Sequence, residues 1–226
     1  MRTADRLLST SHGRCASDAR KFLLLNDWLA AVTGRVSLLE IDHCSPLAIL
    51  DLGTGTGLFP FVCENCGHAA MGLDLPAEVM PDPERRIFSL MPDAFGVAVE
   101  RRPIRAFAPI EGIGTYDLVT GFRVSFNDHK KPDEWGRAEW EYFITDLRKH
   151  LNPGGRIVLT LNANVERYGS KLRYYDEDTR DFLAAMGSVY GAAVIIPSAR
   201  GASEADWRRQ LAMEALIGTR VVNLRL

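Results

Sequence analysis

The 226-residue chain is short of several things, and each shortage narrows its class. It has no run of about 18 apolar residues, the minimum for a helix that crosses a bilayer. Residues 1–11 carry two arginines but no long apolar core, so no secretory signal is expected. Cysteine is scarce: Cys15, Cys44, Cys63 and Cys66 are scattered without the spacing of a disulfide framework, which points to a reducing cytoplasm. Charge of one sign is lacking too. A net charge of −2 gives no broad basic surface, which disfavours non-specific nucleic-acid binding. No repeat or low-complexity tract is present.

What remains is ordinary globular material. With 46% hydrophobic and 25% charged residues, the chain can build one full core. Residues 1–45 read as an arm and a helix packed on a main domain at 46–226. In the first part, 1–15 is polar and without period. Ser17 could cap a helix over 17–33 that places Phe22, Leu25, Trp28, Leu29 and Val32 on one face, with Gly34 as its stop.

From residue 47 strands and helices alternate. Strands are expected at 47–52, 69–74, 96–100, 116–122, 156–161, 190–196 and 220–226. Helices are expected after the glycines at 58–66, over 85–92, from Trp140 to Leu151, at 176–187 and at 204–217. The helix around Trp140 carries Glu139 and Glu141 at its start and Arg148, Lys149 and His150 at its end, which suits the helix dipole. Alternation of this kind predicts an α/β fold, a doubly wound and mostly parallel sheet with helices on both faces.

The stretch Asp51-Leu52-Gly53-Thr54-Gly55-Thr56-Gly57 closes the first strand. Its glycines let the backbone approach a ligand closely, and a turn leading into a helix offers unpaired N–H groups. Asp74, at the end of the next strand, is placed to accept hydrogen bonds from ribose hydroxyls. The dinucleotide pattern G-x-G-x-x-G fails in both frames, because Leu58 and Pro60 occupy the third position. Asp51 would repel a pyrophosphate and attract an ammonium.

At these residues the chain resembles the class I S-adenosylmethionine-dependent methyltransferases. The likeness rests on Leu50 to Gly57, on Gly72-Leu73-Asp74-Leu75, on Tyr116-Asp117-Leu118-Val119 and on Leu151-Asn152-Pro153-Gly154-Gly155-Arg156-Ile157, in order and over roughly residues 45–165. It implies a seven-stranded sheet of order 3-2-1-4-5-7-6 with the seventh strand antiparallel. It also implies S-adenosylmethionine as cofactor and S-adenosylhomocysteine as product. Gly53, Thr54, Gly55 and Gly57 would line the methionine part, Asp51 would hold its amino group, Asp74 the ribose, and Leu75 would lie against the adenine. The family often has an acid after the third strand, but here the text is Glu100-Arg101-Arg102-Pro103-Ile104. Backbone groups at Pro103 and Ile104 are the alternative contact to adenine.

Residues 122–131 follow strand four and would face the methyl group, beginning with Phe122. The (D/N)-P-P-(Y/F) motif of enzymes that methylate base amines is absent. His129 is the candidate base, since its ordinary pKa lies near neutrality. Asn127 could orient a hydroxyl, and Arg123 could bind an anionic group. Trp135, Tyr168 and Tyr174 could build an acceptor wall. Cys63 and Cys66 lack a second pair and read as buried structural cysteines, so no metal is expected. The function expected is methyl transfer to an oxygen or nitrogen of a small molecule, without a membrane and with nucleic acid disfavoured. The alternatives are a protein or RNA methyltransferase and a non-catalytic cofactor-binding protein.

Overall fold

The computed structural model describes residues 21–198 except 81, 83, 128–133 and 170–172. The 1–15 arm, the Ser17 cap, His129 and the elements expected at 204–217 and 220–226 lie outside the described residues.

Seven strands form one sheet among the described residues. They are β1 (Ala48–Leu52), β2 (Ala69–Asp74), β3 (Val99–Arg101), β4 (Tyr116–Phe122), β5 (Leu151–Thr160), β6 (Ser188–Tyr190) and β7 (Ala193–Pro197). Their order is β3-β2-β1-β4-β5-β7-β6. β1 to β5 run parallel, and β7 is antiparallel to both its neighbours. This is the strand order, with an antiparallel seventh strand, that the resemblance implies. Among the described residues the α-helices are α1 (Leu25–Leu38), α2 (Leu58–Asn65), α3 (Glu84–Phe95), α4 (Arg137–Arg148), α5 (Val165–Tyr168) and α6 (Glu177–Met186).

The central strands are apolar on both faces because both faces are covered. Leu50, Leu52, Val119, Ile157 and Leu159 pack with Trp140, Phe143, Ile144 and Leu147 of α4 and with Phe182 and Leu183 of α6. On the other face Ile49, Leu118 and Val158 meet Val32 and Val36 of α1 and Leu58, Phe59 and Val62 of α2. Asp117 locks three strand starts together: its carboxylate accepts from Ala48 N (2.8 Å) and from Asn152 Nδ2 (2.8 Å). Buried His68 is structural. Its Nδ1 accepts from Leu47 N at 3.1 Å and its Nε2 lies 2.5 Å from the Ile41 carbonyl.

Several elements depart from the expectations. α1 runs to Leu38 and passes through Gly34, and Leu25 and Leu29 are exposed rather than on the packed face. The buried stripe is Val32, Val36 and Leu39, which continues helical spacing beyond the glycine, so packing extends the helix. The helix instead stops at Glu40, whose φ is 55°, with Ile41 N bonding Val36 O (3.1 Å) and Glu40 N bonding Ser37 O (3.0 Å). α3 likewise passes through Pro92 to Phe95. The strand expected over 190–196 is two short strands, β6 and β7, reversed at Gly191, whose φ is 56°. These two supply both of the last strands of the sheet. β5 begins earlier than expected, and its Pro153-Gly154-Gly155 forms a bulge: Tyr116 pairs Leu151, and Leu118 next pairs Arg156. Cys66 is exposed at the end of α2, whereas Cys63 is buried as expected.

Gly187 ends α6 against β7, where an added Cβ would lie 2.0 Å from the Ile195 carbonyl oxygen. Backbone cannot move aside as a side-chain tip can, so Gly187→Ala is expected to cost about 1–3 kcal/mol. A thermal melt should show a drop of several degrees, and an unchanged midpoint would contradict this close approach.

Candidate cofactor and acceptor site

The turn after β1 is tied to the end of β2. Gly53 N donates to Leu73 O (2.7 Å), and Gly55 N donates to Asp74 Oδ2 (2.7 Å). The other Asp74 oxygen accepts from Leu75 N (2.7 Å). Gly53, Gly55 and Gly57 have φ of 63°, 56° and 72°, a region that glycine enters without strain. Space demands glycine as well at the first: a Cβ on Gly53 would lie 2.3 Å from Val124 Cγ1. Thr54 is buried and presses on Gly72, where a Cβ would meet Thr54 Cγ2 at 2.3 Å. The turn thus lies against β2, with the Thr54 side chain packed beneath it.

Asp51 is 4% exposed and accepts from Thr120 Oγ1 at 2.8 Å across the β1–β4 pair. Burial pushes its carboxyl up to about 6, opposed by the Thr120 hydroxyl and by the charge of Arg35. The Arg35 guanidinium reaches from α1 to stand 4.6 Å over the ring of Phe122, which also packs edge-on against Phe59 (5.0 Å). Residues 118, 120 and 122 alternate onto one face of β4, so Thr120 and Phe122 share the side that Asp51 faces. Thr120 and Arg35 are absent from the sequence-based site. The first was detectable as the strand-four residue opposite Asp51. Arg35 had no signal beyond being a basic residue on the packed helix.

Asp74 has its carboxyl raised by burial, against the pull of the Leu75 and Gly55 N–H groups and of Arg101. Leu75 is 40% exposed and presents an apolar side chain beside it. Where an acid was sought, Arg101 donates to Phe88 O (2.7 Å) and Leu75 O (3.5 Å), and Arg102 pairs with Glu100 at 3.1 Å. Pro103 is half-buried, and Ile104 packs against the core cluster on the α4 side.

The other side of the site is built by the chain after β4 and β5. Arg123 has φ 55°, and its N–H donates to Thr160 O (2.7 Å) and Oγ1 (3.1 Å). Asn162 Nδ2 donates to the carbonyls of Arg123 (2.7 Å) and Val124 (3.3 Å), and so holds Val124 down on Gly53. Asn127 is 1% exposed, and its carbonyl accepts from Trp135 N at 3.1 Å. Trp135 does not form a wall: it is buried with Phe126, Trp140 and Phe143. Tyr174 packs against the same core beside Tyr175. Tyr168 stands between Arg167 (5.3 Å) and Arg173 (4.7 Å), and burial pushes its hydroxyl up to about 12.

Glu134 was not anticipated. It is buried, and its Oε2 accepts from Asn164 Nδ2 (3.2 Å) and lies 3.6 Å from Arg167 Nη1. Burial raises its carboxyl, opposed by Asn164, by the Tyr168 hydroxyl and by Arg167. Arg167 also reaches Asp176 (3.4 Å), which caps α6 through Thr179 N (2.9 Å).

An open, mostly parallel sheet with a glycine turn at the strand ends, an acid before it and an acid at the end of β2 is the arrangement in which α/β folds bind nucleoside cofactors. No protein-family model matches the sequence, and no curated protein matches it. Solved structures similar to it include a ribosomal protein L11 methylase from Lactobacillus delbrueckii subsp. bulgaricus. That match has 16% identity over 72% of this chain and 75% of the other, with a TM-score of 0.42. An S-adenosylmethionine-bound amino pentose methyltransferase from Micromonospora echinaspora has 21% identity over 67% and 58%, with a TM-score of 0.43. The glycopeptide N-methyltransferase MtfA with sinefungin has 18% identity over 59% and 49%, with a TM-score of 0.38, so this chain spans about half its length. These likenesses concern architecture alone.

The state of Asp51 gives a pH test. Between the ordinary value of 3.8 and about 6, folded Asp51 keeps a proton that the unfolded chain has released. Wild-type stability therefore falls as pH rises through that window. The full rise corresponds to about 3 kcal/mol at pH 7. Asp51→Asn keeps an acceptor for Thr120 without the charge. It should melt above wild type at pH 7.5 and lose that advantage near pH 4. Equal differences at both pH values would contradict a costly buried charge.

Proposed function

We propose that the chain is a cytoplasmic S-adenosylmethionine-dependent methyltransferase acting on a small molecule. One observation carries the reading: a buried, costly carboxylate at Asp51 directly precedes a turn of three left-handed glycines that is hydrogen-bonded to Asp74. A charge kept buried against its own cost suits a cationic ligand group. Here that group is the cofactor's ammonium. The glycine backbone at Gly53, Gly55 and Gly57, with Thr54 beneath, takes the methionine chain. Asp74 accepts from the ribose, and Leu75, Pro103 and Ile104 flank the adenine.

Arg35 supplies the remaining complement. Its guanidinium over Phe122 and its charge on Asp51 set a cation beside the anion that holds the ammonium, as an α-amino acid with a free carboxylate requires. When bound, the cofactor supplies a methyl group on a sulfonium. The protein's part is to align the acceptor atom with it and to exclude water. The net charge of −2 favours a metabolite over nucleic acid, and no described helix is long and apolar enough to cross a membrane. Arg123, Asn127, Tyr168 and Tyr174 stand on the acceptor side, with His129 as the candidate base.

Calorimetry separates these roles. The wild type should bind S-adenosylhomocysteine, and Asp74→Ala should weaken it by about 10- to 100-fold. Arg35→Leu should weaken S-adenosylhomocysteine by about ten-fold yet leave 5′-methylthioadenosine, which lacks the amino-acid end, unchanged. No binding by the wild type sinks the cofactor assignment, and equal losses for both ligands remove Arg35 from carboxylate recognition. For the base, His129→Ala should lower turnover far more than S-adenosylhomocysteine affinity, measured by transfer of labelled methyl into a metabolite extract. Equal turnover removes His129 from the mechanism.

A further inference from the structure

α3 carries a proline in its interior, Pro92, one helical turn after Phe88. A helical carbonyl accepts from the N–H four positions on, and proline has none, so Phe88 O loses its partner within the helix. Arg101, at the end of β3, takes that place: its Nη2 donates to Phe88 O at 2.7 Å. Its Nη1 lies 3.5 Å from Leu75 O, just past the end of β2. One guanidinium therefore joins β3, α3 and the chain leaving β2, a use that suits the arginine fork.

These elements border the glycine turn. Phe88 and Pro92 share a face of α3. A Cβ on Gly55 would lie 3.6 Å from Phe88 Cε1, and one on Gly57 would lie 3.1 Å from Pro92 Cβ, so α3 runs along the turn. Asp74 pairs in register with Arg101, and the two side chains leave the sheet on one face. Gly55 N and Leu75 N each hold one Asp74 oxygen at 2.7 Å, and each oxygen keeps a lone pair for a hydroxyl. The Arg101 charge favours the ionised form of Asp74, and Asp51 and Asp74 repel one another. Other charged side chains of the neighbouring elements, among the described residues, are engaged elsewhere or exposed. Arg85 donates to Met80 O (3.2 and 3.0 Å), Arg86 lies 3.9 Å from Asp82, Glu100 pairs with Arg102, and Glu78 and Asp93 are exposed.

We propose that Arg101 is a positioning residue for the nucleoside end of the cofactor, tying α3 to the end of β2 and setting a cation on the side of the sheet where the Asp74 carboxylate receives the ribose, an inference that rests on the methyltransferase reading. Arg101 acts through its neighbours. It keeps Asp74 ionised, and it keeps α3 along the glycine turn by bonding the carbonyl that Pro92 frees. Its part differs from that of Arg35, which serves the amino-acid end. Loss of Arg101 therefore falls on the adenosine part that all such ligands share, and loss of Arg35 on the remainder.

The test uses the full chain with Arg101→Lys, which keeps the charge, and with Arg101→Gln and Arg101→Met, which remove it. Two uncharged variants are made so that misfolding of one, read by a thermal melt, leaves the other. Calorimetry at pH 8 and pH 5 measures S-adenosylhomocysteine and 5′-methylthioadenosine. At pH 8 the uncharged variants should weaken both ligands alike, by about five- to ten-fold. Protonation of Asp74 removes an acceptor, and without the Arg101 charge it begins at higher pH, so the loss should be about three-fold larger at pH 5. Arg101→Lys should stay within about three-fold of wild type at both pH values. A merely structural arginine would give the same loss at both. The proposal is overturned if either ligand binds the uncharged variants as it binds wild type, if their loss is equal at the two pH values, or if Arg101→Lys is as weak as Arg101→Gln. A carbon-13 NMR titration of the Asp74 carboxyl in the ligand-free protein, assigned with Asp74→Asn, gives a second readout. Its midpoint should be higher in the uncharged variants, and an unmoved midpoint equally overturns the proposal. A wild type that binds neither ligand defeats the cofactor reading instead, and the carboxyl titration then decides whether Arg101 acts on Asp74.

Discussion

The turn after β1 passes between two neighbours, and at Gly53 there is no room for a side chain. On one side the end of β2 takes its N–H groups through Leu73 O and the Asp74 carboxylate. On the other, Val124 presses on Gly53. The rest follows from that squeeze. Gly57 starts α2, α2 and α1 cover the Asp51 face of the sheet, and the chain leaving β4 is held by Asn162 so that Val124 stays in place. The turn is shaped from both flanks, by the end of β2 and by the chain that leaves β4.

The site's electrostatics have the same origin. A carboxylate at the end of a central strand is enclosed because the strand is enclosed, so Asp51 keeps its charge at a cost and with few partners. Thr120 satisfies one oxygen. Arg35 acts from α1, a helix that precedes β1 in sequence. The electrostatic surroundings of Asp51 therefore include that helix, and Arg35 lies in the part of α1 that continues beyond Gly34.

The placement of the glycine turn against the end of β2 was legible because it is written in short local motifs. Asp51, the three glycines and Asp74 are strand ends and turns, where local spacing fixes position. Strand order was legible through the same motifs. α1 was misjudged where packing overrode a glycine: Val36 and Leu39 had contacts to gain and Gly34 offered no reason to stop. The last two strands were misjudged because one apolar run, 190–196, conceals the Gly191 reversal. The acceptor side was least legible. Glu134 and Asn164 are thirty positions apart and meet only through the fold. Trp135 looks like a binding aromatic in sequence and is core in fact.

The two outermost strands, β3 and β6, are three residues each. An edge strand offers unpaired N–H and C=O groups to any other extended chain, and its reach grows with its length. Ends this short give an incoming strand little to grip, and β3 runs into the charged side chains of Glu100, Arg101 and Arg102. Among the described residues, a sheet with a mostly apolar centre thus ends in short, charged margins, which disfavours edge-to-edge pairing.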